Sequence, residues 1–389
     1  MTLAEGASIV FRAGSSRSNG SFVPVPYIGL AKDLGQDDRL LLDDGLIEVR
    51  IKRVRGQDIL TEVVVGGLLG SHKGINAPGV HLRIPLLTHK DRQDLSFAVR
   101  EQVDFLAVSF VREASDILQI RRLLERISRR SEISLIAKIE KQEAVEHFDE
   151  IVSVVDGVMI ARGDLSVETK PEAVPVLQKA IIAKGMAAAK PVIVATQMLD
   201  SMMRNPRPTR AEVSDVANAV IDHADGLMLS GETATGAYPV GAVQMMNRII
   251  GRTEASSYDD VTGHQPPGHA FDEKAAGGEM AALLAEHSQI RCLVVGAFRS
   301  AETARLGARF RPGRPIYAFT DDDRLARTLA LSWGVIPVVI SEVKDQKKFL
   351  EMVKRHLKRA RAVARGDQIL VIEESGAKSG AGGTQMVRV

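Results

Sequence analysis

Apolar and polar positions alternate along this chain in two rhythms. Residues 1–72 hold short β-branched runs, Phe22 to Tyr27, Arg39 to Leu42, Leu46 to Val54 and Ile59 to Val65, punctuated by glycines. Such runs predict a small all-β unit. From about residue 80 an apolar strand is followed by an amphipathic helix, repeated at intervals of roughly 25 to 35 residues, which is the pattern of β/α units in series. The predicted strands are Val103 to Val108, Ser134 to Ala137, Gly157 to Ala161, Pro191 to Ala195 and Gly226 to Leu229. Thr88 with Asp91, and Thr209 with Glu212 after Pro208, have the spacing of capping boxes, which satisfy the N–H groups that a helix start leaves unpaired. Residues 253–273, rich in Ser, Gly, Pro and His and without periodicity, read as a linker. A second α/β region follows over 274–389, with strands near Cys292 to Val295, Pro315 to Phe319, Ile336 to Ile340 and Gln368 to Ile372. The glycine-rich stretch Gly376 to Thr384 reads as a hairpin connection, because Lys378 lacks the GxxxxG frame of a phosphate-cradling loop.

Composition narrows the function classes. Lys plus Arg (51) nearly balance Asp plus Glu (49), so no overall field draws nucleic acid or anionic membranes, and an anionic ligand must be held locally. The basic runs Arg121 to Arg130 and Lys354 to Arg365 alternate with Leu, Ile and Ala at helical spacing and read as solvated helix faces. Aromatic residues at 4 % argue against a stacking surface. The single cysteine, Cys292, lies in an apolar run and can form neither an internal disulfide nor a Cys-rich zinc site. No stretch reaches the roughly 18 apolar residues of a membrane span, and Met1 to Gly20 lacks the order of a signal peptide. The expectation is a cytoplasmic protein with neither a nucleic-acid nor a membrane partner.

Each of the five strands in the middle region ends in a polar cluster: Ser109-Phe110-Val111-Arg112, Lys138-Ile139-Glu140, Arg162-Gly163-Asp164, Thr196-Gln197 and Ser230-Gly231-Glu232-Thr233. In a (β/α) barrel the active site is assembled at the C-terminal ends of several strands. Lys138 and Glu140 are two apart on a strand and point to one side. Glu140 and Asp164 end consecutive strands, roughly 5 Å apart in a parallel sheet, and carboxylates so placed repel unless a cation lies between them. A buried salt-bridge network that closes the barrel explains the same spacing. Gly163 tilts the reading towards a ligand, since it lets the N–H groups of Gly163 and Asp164 approach an anion. Thr196 on its own reads equally as a helix cap, and His147, His223, His264 and His269 show no helix-spaced ligand pair.

Longer motifs then identify a family. Lys138-Ile139-Glu140, Ala161-Arg162-Gly163-Asp164-Leu165, Ala195-Thr196-Gln197-Met198-Leu199-Asp200-Ser201-Met202, Asn205-Pro206-Arg207-Pro208-Thr209-Arg210-Ala211-Glu212 and Leu229-Ser230-Gly231-Glu232-Thr233-Ala234 closely resemble pyruvate kinase. Lys73-Gly74-Ile75-Asn76-Ala77-Pro78-Gly79 resembles that family's re-entry into its barrel, and Leu42-Asp43-Asp44-Gly45-Leu46-Ile47 its lid domain. The resemblance implies an incomplete (β/α)8 barrel of the TIM type, with a partial N-terminal β-barrel lid domain at 1–72, barrel strands four to eight at 73–252, a linker at 253–273 and a C-terminal α/β domain at 274–389. It also implies transfer of a phosphoryl group from phosphoenolpyruvate to ADP, giving pyruvate and ATP in glycolysis. By similarity, Lys138 stabilises the phosphoryl group and the enolate, Glu140 and Asp164 hold Mg²⁺ or Mn²⁺, and the Gly163 and Asp164 backbone with Thr196 binds the substrate carboxylate. Lys73 approaches the nucleotide phosphates, and Ser230 and Glu232 belong to the proton-transfer network.

The departures set further expectations. The resemblance enters in the middle of the lid, so the first three barrel strands, which in the family carry a substrate Arg and the K⁺ ligands, are not in this sequence, and turnover by this chain alone is expected to be impaired. Ser166 replaces a usual glycine, and Phe298-Arg299-Ser300-Ala301-Glu302-Thr303 stands where many members carry an effector-phosphate loop. A homo-oligomer, tetrameric in the family, or a complementary N-terminal fragment is the expected partner. The alternative is a catalytically inactive paralogue or fragment that acts by binding or assembly. A lyase on a similar barrel would have no use for Lys73 or the lid.

Overall fold

The computed structural model describes residues 1–389 except 18, 19, 44, 72, 81, 130, 260–283, 285–288, 342–344 and 373–383. Three bodies of secondary structure are strung along the chain. The first contains β1 (Thr2–Leu3), β2 (Ser8–Ala13), β3 (Val23–Val25), β4 (Arg39–Leu42), β5 (Ile47–Arg55), β6 (Asp58–Val65), β7 (Gly67–Leu68) and β8 (Ile75–Asn76). Strands β1 and β7 pair, and the others form a six-stranded sheet in the order β3-β2-β6-β5-β4-β8. Along β6 the exposure alternates, so Ile59, Thr61 and Val63 face a core with Phe11, Leu40, Leu42, Val49 and Ile51. Register shifts in β5 curl the sheet around that core. The β5–β6 connection is a two-residue turn in which Gly56, at φ 60°, takes the left-handed position that a side chain disfavours.

The middle body is a five-stranded parallel sheet of β9 (Phe105–Val108), β10 (Ser134–Ile139), β11 (Gly157–Ala161), β12 (Val192–Ala195) and β13 (Gly226–Met228), in sequence order. Its outer face, with Leu135, Ala137, Ile139, Val158, Ile160, Val192 and Val194, packs under the connecting helices. The inner face carries a smaller cluster of Ile136, Met159 and Ala195, flanked by Phe105, Ile193 and Met228. This layering, with residues filling the inside of a curved parallel sheet and helices outside, is that of a (β/α) barrel. Both expected capping boxes form: Thr88 with Asp91 opens the helix His89–Arg100, and Thr209 with Glu212 opens Arg210–Ile221. The helix Pro239–Glu254 runs two residues into the stretch read as a linker, and most of that stretch lies outside the described residues.

The last body is a sheet of β14 (Ile290–Gly296), β15 (Ile316–Thr320), β16 (Val335–Val339), β17 (Gln368–Ile372) and β18 (Thr384–Arg388), in the order β16-β15-β14-β17-β18. All neighbours are parallel except β18, which returns antiparallel along β17. The Gly376 to Thr384 reading falls mostly outside the described residues.

Two sets of contacts place these bodies on opposite ends of the middle sheet. Asn76 donates to Glu168 Oε1 at 2.9 Å and Lys141 pairs with Glu168 at 3.5 Å, which holds the first body beside the C-terminal ends of β10 and β11. At the other end, Arg324 donates to the Val103 carbonyl at 3.0 Å and Arg327 pairs with Asp104 at 2.8 Å, just before β9. Arg311 pairs with Asp225 at 3.0 Å, just before β13, and Leu331 joins the inner cluster from below.

Candidate active site

The polar groups converge where the strands end. Glu140, one residue past β10, is almost fully buried. Its Oε2 accepts the Phe110 N–H at 2.7 Å, and its Oε1 is ion-paired with Lys138 Nζ at 2.5 Å. Lys138 Nζ also donates to Ser109 Oγ at 2.9 Å. Burial pushes the Glu140 carboxyl above the ordinary range, and the Asp164 charge adds to the rise, whereas Lys138 and the Phe110 N–H oppose it. A buried carboxylate that stays raised despite its lysine, with the charge of a second carboxylate acting on it, is a place that gains from a further cation. Among the described residues no three His, Cys, Asp or Glu form a preformed cluster. Two carboxylates with substrate oxygens and water are what Mg²⁺ ordinarily takes, so the donor set fits the group.

The next two strand ends are locked to each other. Thr196 has φ 72° and Gln197 φ 53°, left-handed backbone that is costly for a β-branched residue. Thr196 Oγ1 accepts the Gly163 N–H at 2.7 Å and donates to its neighbour's carbonyl, Ala195 O, at 2.6 Å. The N–H that the sequence offers to an anion is thus held by a hydroxyl. Arg162 clasps Asp215 through both terminal nitrogens at 2.7 Å and also donates to the Thr196 carbonyl at 2.9 Å. Its role was not visible in the sequence beyond its place in a motif, because its partners are 34 and 53 residues away. Phe110, at φ 57°, is a third left-handed residue at the same rim.

Glu232 is buried and its two oxygens accept the N–H groups of Leu199 at 3.0 Å and Ser230 at 2.7 Å. It thereby ties the loop after β12 to the end of β13 and fixes Ser230 at the rim. Lys73 sits on the first body, where it pairs with Asp43 at 2.8 Å. In that body a side-chain atom at Gly45 would lie 3.8 Å from Val167, on the helix Arg162–Glu168 that carries Asp164. Lys138, Glu140, Gly163, Asp164 and Thr196 therefore gather at the ends of three adjacent strands, Ser230 and Glu232 close the far side, and Lys73 belongs to the body alongside.

A barrel of β/α units with lysine and two carboxylates at its strand ends, a small β body there and an α/β body at its base has the layout of the barrel enzymes whose sites lie at the C-terminal ends of the strands. A profile described as the pyruvate kinase barrel domain matches residues 2–243, and one described as the pyruvate kinase alpha/beta domain matches residues 278–389. The chain belongs to the pyruvate kinase family. It is 43 % identical to the pyruvate kinase of Sporosarcina psychrophila over 95 % of this chain and 64 % of that protein. It is 40 % identical to that of Clostridium perfringens over 94 % of this chain and 77 % of that one. The crystal structure of a pyruvate kinase from Cryptosporidium parvum superposes with a TM-score of 0.89 at 32 % identity, over all of this chain and 79 % of that one. The chain thus spans a little under two thirds of the first of these relatives. Among the described residues no helix is long and apolar enough to cross a membrane.

Proposed function

We propose that this chain carries catalytic groups of the pyruvate kinase reaction, in which phosphoenolpyruvate gives its phosphoryl group to ADP and the resulting enolate is protonated to pyruvate. The observation that carries this reading is the buried Glu140 carboxylate, ion-paired with Lys138 at 2.5 Å and raised above its ordinary range by burial and the charge of Asp164. Lys138 offsets only part of the cost of that burial, since the carboxyl remains raised, and a divalent cation would offset more of it. Mg²⁺ or Mn²⁺ held by Glu140 and Asp164 would supply charge neutralisation at the phosphoryl and enolate oxygens. Phosphoryl transfer depends mainly on positioning and electrostatic stabilisation.

In this reading Lys138, kept in place by Ser109, directs its ammonium at the oxygens where negative charge accumulates. The substrate carboxylate takes the position of Thr196 Oγ1 at the Gly163 N–H, and the Thr196 hydroxyl turns to donate to it. Ser230 holds a hydroxyl at the rim for the proton relay, and Glu232 positions it. Lys73 leaves Asp43 for the nucleotide phosphates. K⁺ has no ligand assigned among these residues. The proposed limits follow the sequence reading except that the first body runs on through β8 to about residue 77, with the barrel after it to 252 and the C-terminal body at 274–389; a homo-oligomer in the cytoplasm is the working form.

The test pairs a coupled assay of phosphoenolpyruvate and ADP turnover with Mn²⁺ calorimetry. Mn²⁺ binding that is lost in Glu140→Gln, with whatever turnover the chain shows requiring a divalent cation and lost in Lys138→Met, is the expected result. Equal Mn²⁺ binding by wild type and Glu140→Gln would remove the metal assignment.

A further inference from the structure

Glu168 stands where a carboxylate is locally unfavourable. It closes the helix Arg162–Glu168, whose C-terminal end disfavours negative charge, and it follows Asp164 by four residues, which puts a like charge one turn away on the same face. Its side chain is only 10 % exposed. What it gains comes from distant parts of the fold. Oε1 accepts the Asn76 amide at 2.9 Å, and Oε2 lies 3.5 Å from the ammonium of Lys141, itself 16 % exposed. The two oxygens are thus divided between the first body and the residue that follows Glu140.

Asn76 is tied in turn to the charged end of the first body. It lies on β8, which pairs with β4 at Leu41 and Leu42, and the Asp43 N–H donates to the Gly74 carbonyl at 3.3 Å. The Lys73–Asp43 ion pair sits at that junction. Two residues past Asp43, Gly45 lies close to Val167, the neighbour of Glu168. The end of one short helix therefore seats the part of the first body that carries Lys73, and the start of the same helix carries Asp164. We propose that Glu168 is a positioning residue, which by bridging Asn76 and Lys141 fixes where the first body, and Lys73 with it, stands relative to Glu140 and Asp164. The consequence for nucleotide binding rests on the role proposed above for Lys73.

The experiment measures position without turnover. Spin labels on Arg53→Cys, exposed in β5, and Glu150→Cys, exposed on the barrel helix Phe148–Val154, report the distance between the two bodies by pulsed electron paramagnetic resonance. The native Cys292 is buried and does not label. The labelled parent gives one narrow distribution. Glu168→Ala and Asn76→Ala broaden or shift it alike, the double variant adds nothing further, and Glu168→Gln, which keeps an acceptor for Asn76, changes it less. Asn76→Ala breaks the bond from the other side, so the test stands even if Glu168→Ala does not fold. In calorimetry, Mn²⁺ affinity without nucleotide is kept in Glu168→Ala, while ADP affinity in the presence of Mn²⁺ falls several-fold, as it does in Lys73→Met. Unchanged distances in Glu168→Ala and Asn76→Ala would overturn the proposal, and so would ADP affinity that is lost in Lys73→Met but kept in Glu168→Ala. Equal ADP affinity in wild type and Lys73→Met would instead remove the nucleotide role of Lys73, and the distances alone would then decide whether Glu168 positions the body.

Discussion

The Arg162 guanidinium donates to the main-chain carbonyl of Thr196 at 2.9 Å while both its terminal nitrogens grip Asp215. One side chain therefore links β11, the loop after β12 and the helix Arg210–Ile221. Hydrogen bonds to charged groups contribute about 1.5–3 kcal/mol. Arg162→Leu is expected to destabilise the fold by roughly that amount, read by urea melts, and to displace Thr196. Arg162→Lys keeps the charge but not the fork, and should recover less than half of the lost stability.

Thr196 is held at φ 72° although it is β-branched. An alanine there keeps the backbone strain and loses the hydroxyl, whereas glycine relieves the strain. Thr196→Gly is therefore expected to be more stable than Thr196→Ala by about 1 kcal/mol, the reverse of their order at an ordinary position. Thermal melting of the two variants decides it. An alanine variant as stable as the glycine one would mean that the turn relaxes.

Glu140 carries the pH dependence. Burial holds its carboxyl above its ordinary range, so the folded state binds its proton more tightly than the unfolded chain does. The stability this confers is present below the unfolded value and is lost as pH rises through the raised one. The difference in Tm between Glu140→Gln and wild type should grow over that window in metal-free buffer. Metal binding needs the ionised carboxylate, so Mn²⁺ affinity should fall as pH drops through the same window. A flat profile for both quantities would contradict the burial-driven shift.

In the C-terminal body Phe298 packs edge-on against Phe349, with ring centroids 5.6 Å apart, and its ring lies close over Gly296 at the end of β14. It thus covers one strand end at which the sheet's order reverses, where open α/β sheets ordinarily take ligands. A sugar bisphosphate is expected to leave the Tm unchanged at millimolar concentration. A saturable rise that disappears in Ser300→Ala would show that the loop accepts phosphate despite the phenylalanine.

The barrel strands were legible in the sequence to within a few residues because each is a short apolar run that stops at a polar cluster. The pairing of Lys138 with Glu140 followed from the two-residue period of a strand. The capping boxes followed from local spacing alone. Other features depend on distant partners and left no local mark. Arg162 needs Asp215, Glu232 needs the N–H of Leu199, and the left-handed turns at Phe110 and Thr196 are imposed by tertiary bonds. Strand β18, Thr384–Arg388, alternates only between exposed and half-buried positions, so its sequence carries little hydrophobic signal.

Leu331 reaches from the C-terminal body into the hydrophobic cluster inside the barrel sheet. The barrel's floor is thus built from a side chain encoded far downstream of its walls. Severing the two bodies would not release two finished modules: it would wet Ile136 and Met159 from beneath and strand Asp225 without Arg311. The C-terminal body is a structural stopper for the barrel sheet, and a gene fusion or deletion that swapped it would have to supply a stopper of the same shape.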